Sequence, residues 1–254
     1  HQTRAFMDIL TDDQLLRYSR HLLLPGMDID GQLKLIDSRM LVIGMGGLGC
    51  ACTPYLASSG VGTLTLVDDD VVELSNLQRQ ILYTDQDVGQ PKAVVASRRL
   101  QAMNPDCDMT AIQKRLNDQE LEQLIAHHDV VIDCSDNLST REQINRICFE
   151  SKTPLVSGAA IRFEGQVSTF SYQENTACYR CLSQQIGEQS LNCAESGVLA
   201  PMVGIIGSMQ AMEAIKTCAN VGQVLENRLL MIDGKSMEVR AFTLNKHPDC
   251  SVCS

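Results

Sequence analysis

Apolar positions near the start of the chain recur at helical spacing. Leu15, Leu16, Leu22 and Leu23 follow Thr11 and Gln14, a pair spaced for a capping box, so a helix is predicted there and a shorter one near Gly31 to Ser38. The period then changes. Met40 to Ile43 is a compact apolar run, read as a buried strand, that feeds directly into Gly44-Met-Gly-Gly-Leu-Gly49 and a helix to about Ser59. Thr63 to Val67 is the next strand, closed by Asp68, Asp69 and Asp70. Pro91 suits the first turn of a helix that Asn104-Pro105 stops after Met103. A helix over Asp118 to His127, a buried strand over Asp129 to Asp133, a helix over Asn137 to Phe149 and a strand over Leu155 to Ser157 complete the alternation. Strands separated by helices predict a mainly parallel, doubly wound α/β sheet.

After Gly158 the pattern changes. Gly165 to Tyr172 alternates like an antiparallel strand, and a loop-rich stretch follows. Pro201 to Ala219 reads as a long helix with Met202, Met209 and Met212 as core filling, and Arg228 to Leu244 as two further strands. The expected organisation is one domain over 1–254: N-terminal helices (1–38), a nucleotide-binding core (39–160) and a C-terminal part with an antiparallel extension (161–254).

Composition narrows the partners. The net charge of -10 excludes a nucleic-acid partner, which needs concentrated positive surface. No apolar run approaches the ~20 residues that span a bilayer, and His1 to Phe6 lack the layout of a signal peptide, so no membrane association and a cytoplasmic location are expected.

Gly44-x-Gly46-x-x-Gly49, between strand and helix, lets backbone N–H groups approach phosphates at a helix N-terminus, a Rossmann-like arrangement. Asp68 ends the next strand, where an acidic side chain binds ribose hydroxyls. This much indicates a nucleotide and leaves NAD, FAD and ATP open. Arg79 and Lys92, with Asn76 and Gln78 nearby, favour a triphosphate, since Arg forks onto phosphate and Lys supplies a point charge. Asp136 follows the third strong strand, placed either to hold Mg²⁺ through the phosphates or to cap the helix starting near Asn137.

Of the 11 cysteines, Cys178, Cys181, Cys250 and Cys253 form two CxxC knuckles suited to tetrahedral Zn²⁺. Four thiolates leave no open position, so a structural zinc is expected, pinning the C-terminal tail to the loop after Tyr172. Cys50, Cys52, Cys107, Cys134, Cys148 and Cys218 are read as inert buried thiols.

The ordered set GMGGLG, DDD, SNLQRQ, GQPK, DCSDN and the paired CxxC motifs resembles the MoeB/ThiF family, bacterial relatives of ubiquitin-activating enzymes, over essentially the whole chain. The resemblance implies ATP-dependent adenylation of the C-terminal Gly-Gly of a ubiquitin-like sulfur-carrier protein. Gly44, Gly46, Gly47, Gly49, Asp68, Ser75, Asn76, Leu77, Gln78 and Asn137 would bind the nucleotide, with Arg79 and Lys92 on its phosphates and Asp136 on magnesium. Arg20 would reach the partner subunit's ATP site, which implies a homodimer. Cys193 matches the position where some relatives receive the activated carrier, and is read as a non-essential loop thiol. Ser157 to Gly165 and Ala200-Pro201 resemble the molybdopterin branch; Asp233-Gly-Lys-Ser236 and Asp68 to Asp70 resemble the thiamin branch. The molybdopterin branch is favoured. A chain ending just after Cys253 implies a separate sulfurtransferase.

Overall fold

The computed structural model describes residues 9–186 and 196–254; Cys193 lies outside them. Thr11 caps the first helix, α1 (Asp12–Arg17), and forms the expected capping box with Gln14. The single N-terminal helix predicted here is in fact two, because the chain bends at Tyr18 before α2 (Ser19–Leu22). Tyr18 is buried, and its hydroxyl accepts a hydrogen bond from Asn104 at 2.8 Å, so a tertiary anchor interrupts the local helix. α3 (Asp28–Asp37) follows.

Eight strands form one sheet in the order β3-β2-β1-β4-β5-β6-β7-β8. The parallel half comprises β1 (Arg39–Ile43), β2 (Thr63–Val67), β3 (Asp108–Ile112), β4 (Val130–Asp133) and β5 (Leu155–Ile161). β6 (Glu164–Phe170), β7 (Arg228–Asp233) and β8 (Glu238–Thr243) extend it antiparallel. The connecting helices are α4 (Gly47–Ser58), α5 (Lys92–Met103), α6 (Asp118–Ile125), α7 (Leu138–Ser151), α8 (Tyr179–Ile186) and α9 (Ala200–Ala219).

Alternation along the strands sets the two faces. Met40 and Val42 of β1 join a core with Leu56, Val95 and Ile206, residues of α4, α5 and α9; Leu41 and Ile43 point the other way, into a core with Leu121, Ile144 and the zinc-type cysteines. Close packing of α9 on α4 needs Gly207, where a Cβ would lie 2.6 Å from the Leu48 carbonyl oxygen.

One strand was not expected and two further predictions need correcting. β3 carries no strong apolar signal, since its residues are only half-buried or exposed at the sheet edge. The stretch read as loop around the first CxxC contains α8, whose first turn Cys181 occupies. Met202 and Met209 pack in or against the core, but Met212 is 60% exposed and fills nothing.

Candidate nucleotide and zinc sites

Strand order reverses between β1 and β4, and ligand crevices open at the carboxyl ends of strands at such a point. Register brings the ends level: Ile43 is paired with Val67 on one side and Asp133 on the other. The glycine loop, Asp68 and the segment 134–137 therefore emerge side by side. Gly44 is held at φ +98°, and a Cβ there would lie 2.5 Å from the Cys134 carbonyl oxygen, so the two loops touch without room for a side chain.

A cavity of about 710 Å³ lies over these ends. It is lined by Gly44, Gly46, Gly47, Asp68, Ser75, Arg79, Lys92, Asp136 and Asn137, nine of the residues singled out from sequence. No side chain caps the N-terminus of α4, so its backbone N–H groups remain open to an anion. Ile43, Val67, Leu116, Leu121 and Ile144 supply apolar lining to the same cavity, suited to a base.

Asp68 accepts the Met45 N–H at 2.6 Å on one carboxylate oxygen and the Asp70 N–H at 2.8 Å on the other. Burial pushes its carboxyl pKa above the ordinary 3.8, against the lowering effect of these N–H groups and Lys92. The Lys92 ammonium is almost wholly buried and pairs with Asp70 at 3.2 Å. Arg79 donates to Gln78 Oε1 at 3.1 Å and to the Ser75 carbonyl at 3.3 Å, so its guanidinium is folded along its own turn.

Asp136 is exposed, and its Oδ1 accepts a long hydrogen bond from the Asn137 side-chain amide at 3.5 Å. Asn137, not Asp136, caps α7, accepting the Thr140 N–H at 2.9 Å. That leaves Oδ2 open, and Oδ1 only weakly engaged, for a hard cation held chiefly by substrate phosphates, the arrangement magnesium favours.

The other expected residues do not line the cavity. Gly49 serves packing: a Cβ there would sit 2.2 Å from the Gly44 carbonyl oxygen. Asn76 is buried and accepts the Glu73 N–H at 2.9 Å, fixing the turn that carries Ser75 and Arg79. Leu77 packs against the core, and Gln78 donates to the Val198 carbonyl at 3.0 Å. Arg20 is exposed on α2 with no ion-pair partner among the described residues.

Sequence reasoning missed several cavity residues: Asp70 as a partner of Lys92, Gln80, Lys114, Arg115, Ser135 and Arg141. Arg141 is buried and donates to the Ser135 carbonyl at 2.7 Å and the Gly158 carbonyl at 3.1 Å. Its place four residues after the capping Asn137, on one face of α7, was the available signal.

Cys178, Cys181, Cys250 and Cys253 converge, all buried, with their sulfurs within 4.8 Å of one another. Cys178–Cys250 and Cys181–Cys253 sulfurs are 3.7 and 3.5 Å apart. A tetrahedron with 2.3 Å metal–sulfur bonds has edges of about 3.8 Å, close to these two distances, so the four donors suit zinc. Burial pushes the Cys178 thiol up to about 11, whereas, against burial, backbone N–H groups of Cys253 and Val252 help to bring Cys250 below the ordinary 9.0. Elsewhere burial pushes Cys50, Cys107 and Cys218 up to about 12 and raises Cys134 and Cys148, in keeping with inert thiols, although Cys218 is only half-buried.

Residues 18–252 match the ThiF family. The chain belongs to that family. It is 52% identical to the molybdopterin-synthase adenylyltransferase of Escherichia coli (strain K12), with 96% of this chain and 98% of that protein aligned. It is 45% identical to the sulfur carrier protein ThiS adenylyltransferase of the same organism, over 96% of this chain and 97% of that one. In fold it is similar to E. coli MccB, in a crystal structure with AMPCPP and MccA: TM-score 0.82 at 24% identity, covering 94% of this chain and 74% of that one. ThiF-family membership and the α/β architecture expected from the motifs are thus both met. No helix among the described residues of this ThiF-family chain is long and apolar enough to cross a membrane.

Proposed function

We propose that the chain uses ATP to adenylate the C-terminal glycine carboxylate of a ubiquitin-like sulfur carrier of the molybdopterin-synthase small-subunit type, in molybdenum cofactor biosynthesis. One observation carries this reading. The cavity gathers a glycine loop at an uncapped helix, a ribose-type aspartate, two cations and an exposed carboxylate, in a chain 52% identical to a molybdopterin-synthase adenylyltransferase along nearly its whole length.

The chemistry is an in-line exchange at phosphorus. A carboxylate oxygen of the carrier attacks the α-phosphorus, the bond from that phosphorus to the bridging oxygen breaks, and pyrophosphate leaves with the electron pair. A carboxylate is already ionised at neutral pH, so no general base is required. The protein aligns the attack and neutralises the charge growing on the phosphates. In this reading the α4 N-terminus and Asp68 hold the phosphates and ribose, Arg79 and Lys92 balance the leaving group, and Asp136 would hold Mg²⁺. A bound magnesium supplies further charge neutralisation.

Arg20, exposed and without an ion-pair partner among the described residues, is assigned to the partner subunit's site in a homodimer. The apolar surface beside it supports that assignment, with Leu16, Leu23 and Leu24 each more than half exposed. The four-cysteine cluster is assigned to a structural zinc, and sulfur is assigned to a separate sulfurtransferase.

A second reading is activation of the thiamin sulfur carrier, favoured by the 45% relative. Mass spectrometry of each carrier type with enzyme and Mg·ATP decides between them. The expected result is one adenylyl group on the molybdopterin-type carrier; preferential adenylation of the thiamin-type carrier would reverse the assignment.

A further inference from the structure

Helix α7 joins the two sites. Its capping residue Asn137 stands beside Asp136 at the cavity, and Arg141 and Asn145 follow at four-residue intervals, so all three share one face. Arg141 is buried and grips the carbonyl of Ser135, the residue just before Asp136. One turn on, Asn145 is wholly buried and donates its amide N–H to Cys178 Sγ at 3.5 Å. Its amide oxygen accepts from the Tyr172 hydroxyl at 3.0 Å and the Tyr179 N–H at 2.9 Å. Glu142 adds a second tie, accepting from Ser183 at 2.6 Å and Arg180 at 3.2 Å, both on α8, the helix that carries Cys181.

A buried amide fixed by three partners has one available orientation, because any rotation leaves polar groups unsatisfied in the interior. The Asn145 amide oxygen is anchored to the polypeptide around the first CxxC, and its N–H is aimed at a sulfur. A donor to a metal-bound sulfur belongs to the outer shell that orients ligands and tunes their hold on the metal.

We infer that Asn145 is a positioning residue which, through the Asn137–Arg141–Asn145 face of α7, couples occupancy of the four-cysteine site to the placement of Asp136 over the nucleotide. The inference rests on the adenylation reading given above. Zinc at the cysteines fixes Cys178, Asn145 fixes α7 to Cys178, and Arg141 fixes the loop that presents Asp136. Coupling of this kind is reciprocal: whatever zinc does for Mg·ATP, Mg·ATP does for zinc.

The test uses the zinc-loaded full chain. Zinc transfer to a chromogenic chelator is timed with and without saturating Mg·ATP, and Mg·ATP binding is measured separately by calorimetry. In the wild type, bound Mg·ATP should slow zinc release at least about five-fold. Asn145→Asp keeps the acceptor oxygens but removes the donor to sulfur. It should release zinc about ten-fold faster, abolish the slowing by Mg·ATP, and shift the sulfur-to-metal charge-transfer band of the cobalt-substituted protein. Tyr172→Phe, a milder change that frees the amide from one of its anchors, should reduce the slowing as well. Wild-type protein that binds Mg·ATP yet releases zinc at the same rate with and without it would overturn the coupling. Variants that keep both the wild-type slowing and the wild-type cobalt band would overturn the role of Asn145. A wild-type chain that binds no Mg·ATP would overturn the adenylation reading itself, and the coupling with it.

Discussion

The Asp68 carboxylate accepts the Met45 N–H at 2.6 Å, tying the end of β2 to the glycine loop after β1. The same carboxylate takes the Asp70 N–H, and Asp70 in turn pairs with Lys92. An aspartate read from sequence as a ribose ligand is therefore also the brace of the phosphate loop. Burial raises its pKa above 3.8, so on its account stability falls as pH rises from 3.8 to the raised value, where the native state holds the proton more tightly than the unfolded chain. With Asp68 as ribose ligand in the proposed reading, nucleotide binding should have the opposite dependence, because ribose hydroxyls would donate to the ionised form.

Apparent Mg·ATP affinity should accordingly fall as pH drops through a value above 3.8. Asp68→Asn should weaken binding about ten-fold at neutral pH, the loss of a charge-assisted hydrogen bond, and flatten the acid limb. Calorimetric titration across pH checks this; an unchanged limb in the variant would assign it to another group.

The two inner glycines should respond differently to alanine. At Gly49 the new Cβ meets backbone, 2.2 Å from the Gly44 carbonyl oxygen, and no side chain can yield. Gly49→Ala should destabilise by about 3 kcal/mol or more. At Gly47 the obstruction is the Val203 side chain, at 2.9 to 3.0 Å. Gly47→Ala should lose less, and Gly47→Ala with Val203→Ala should be more stable than the two single losses add up to. Denaturant unfolding of the four variants measures each term; simple additivity for the Gly47 pair would contradict the packing argument.

Much of this was legible in the sequence because it rests on local rules. Thr63–Val67 is a strand with the expected bounds, Asn104 and the Thr11 capping box act where their chemistry puts them, and Pro91 stands as N-cap one residue before the first turn expected for it. What was not legible depended on tertiary context. Edge strand β3 lacks a buried run. Leu155 to Ser157 runs on as strand to Ile161, because pairing with β6 carries it past Gly158. At the site, motifs gave nine of the residues that face the cavity, but not Lys114, Arg115 or Arg141, nor Asn145 behind it; Arg141 and Asn145 act on backbone and sulfur brought near only by folding.

Metal analysis should find about one zinc per chain. Cys250→Ser should lose it. At about 1,000-fold excess over Kd a bound ligand contributes about 4 kcal/mol, roughly 10 °C of Tm for a chain of this size. A Cys250→Ser protein with full zinc and unchanged Tm would remove the cluster from the account.

Arg79→Ala and Lys92→Ala should leave the far-ultraviolet spectrum intact. Lys92 leaves behind an Asp70 that is already largely exposed and an Asp68 still held by the Met45 and Asp70 N–H groups, and Arg79 is bonded within its own turn. Each should lower carrier-dependent ATP–pyrophosphate exchange about 100-fold or more, the effect of losing one group that stabilises developing charge. Near-normal exchange in both would exclude them from the chemistry.

The central claim is that the carrier's terminal carboxylate is the nucleophile toward ATP in this cavity. ATP–pyrophosphate exchange, measured with the molybdopterin-type carrier bearing either a free or an amidated C-terminal glycine, tests it most directly. Exchange that requires the carrier and its free carboxylate is the predicted result; exchange that persists with the amidated carrier, or is absent with every carrier, would contradict it.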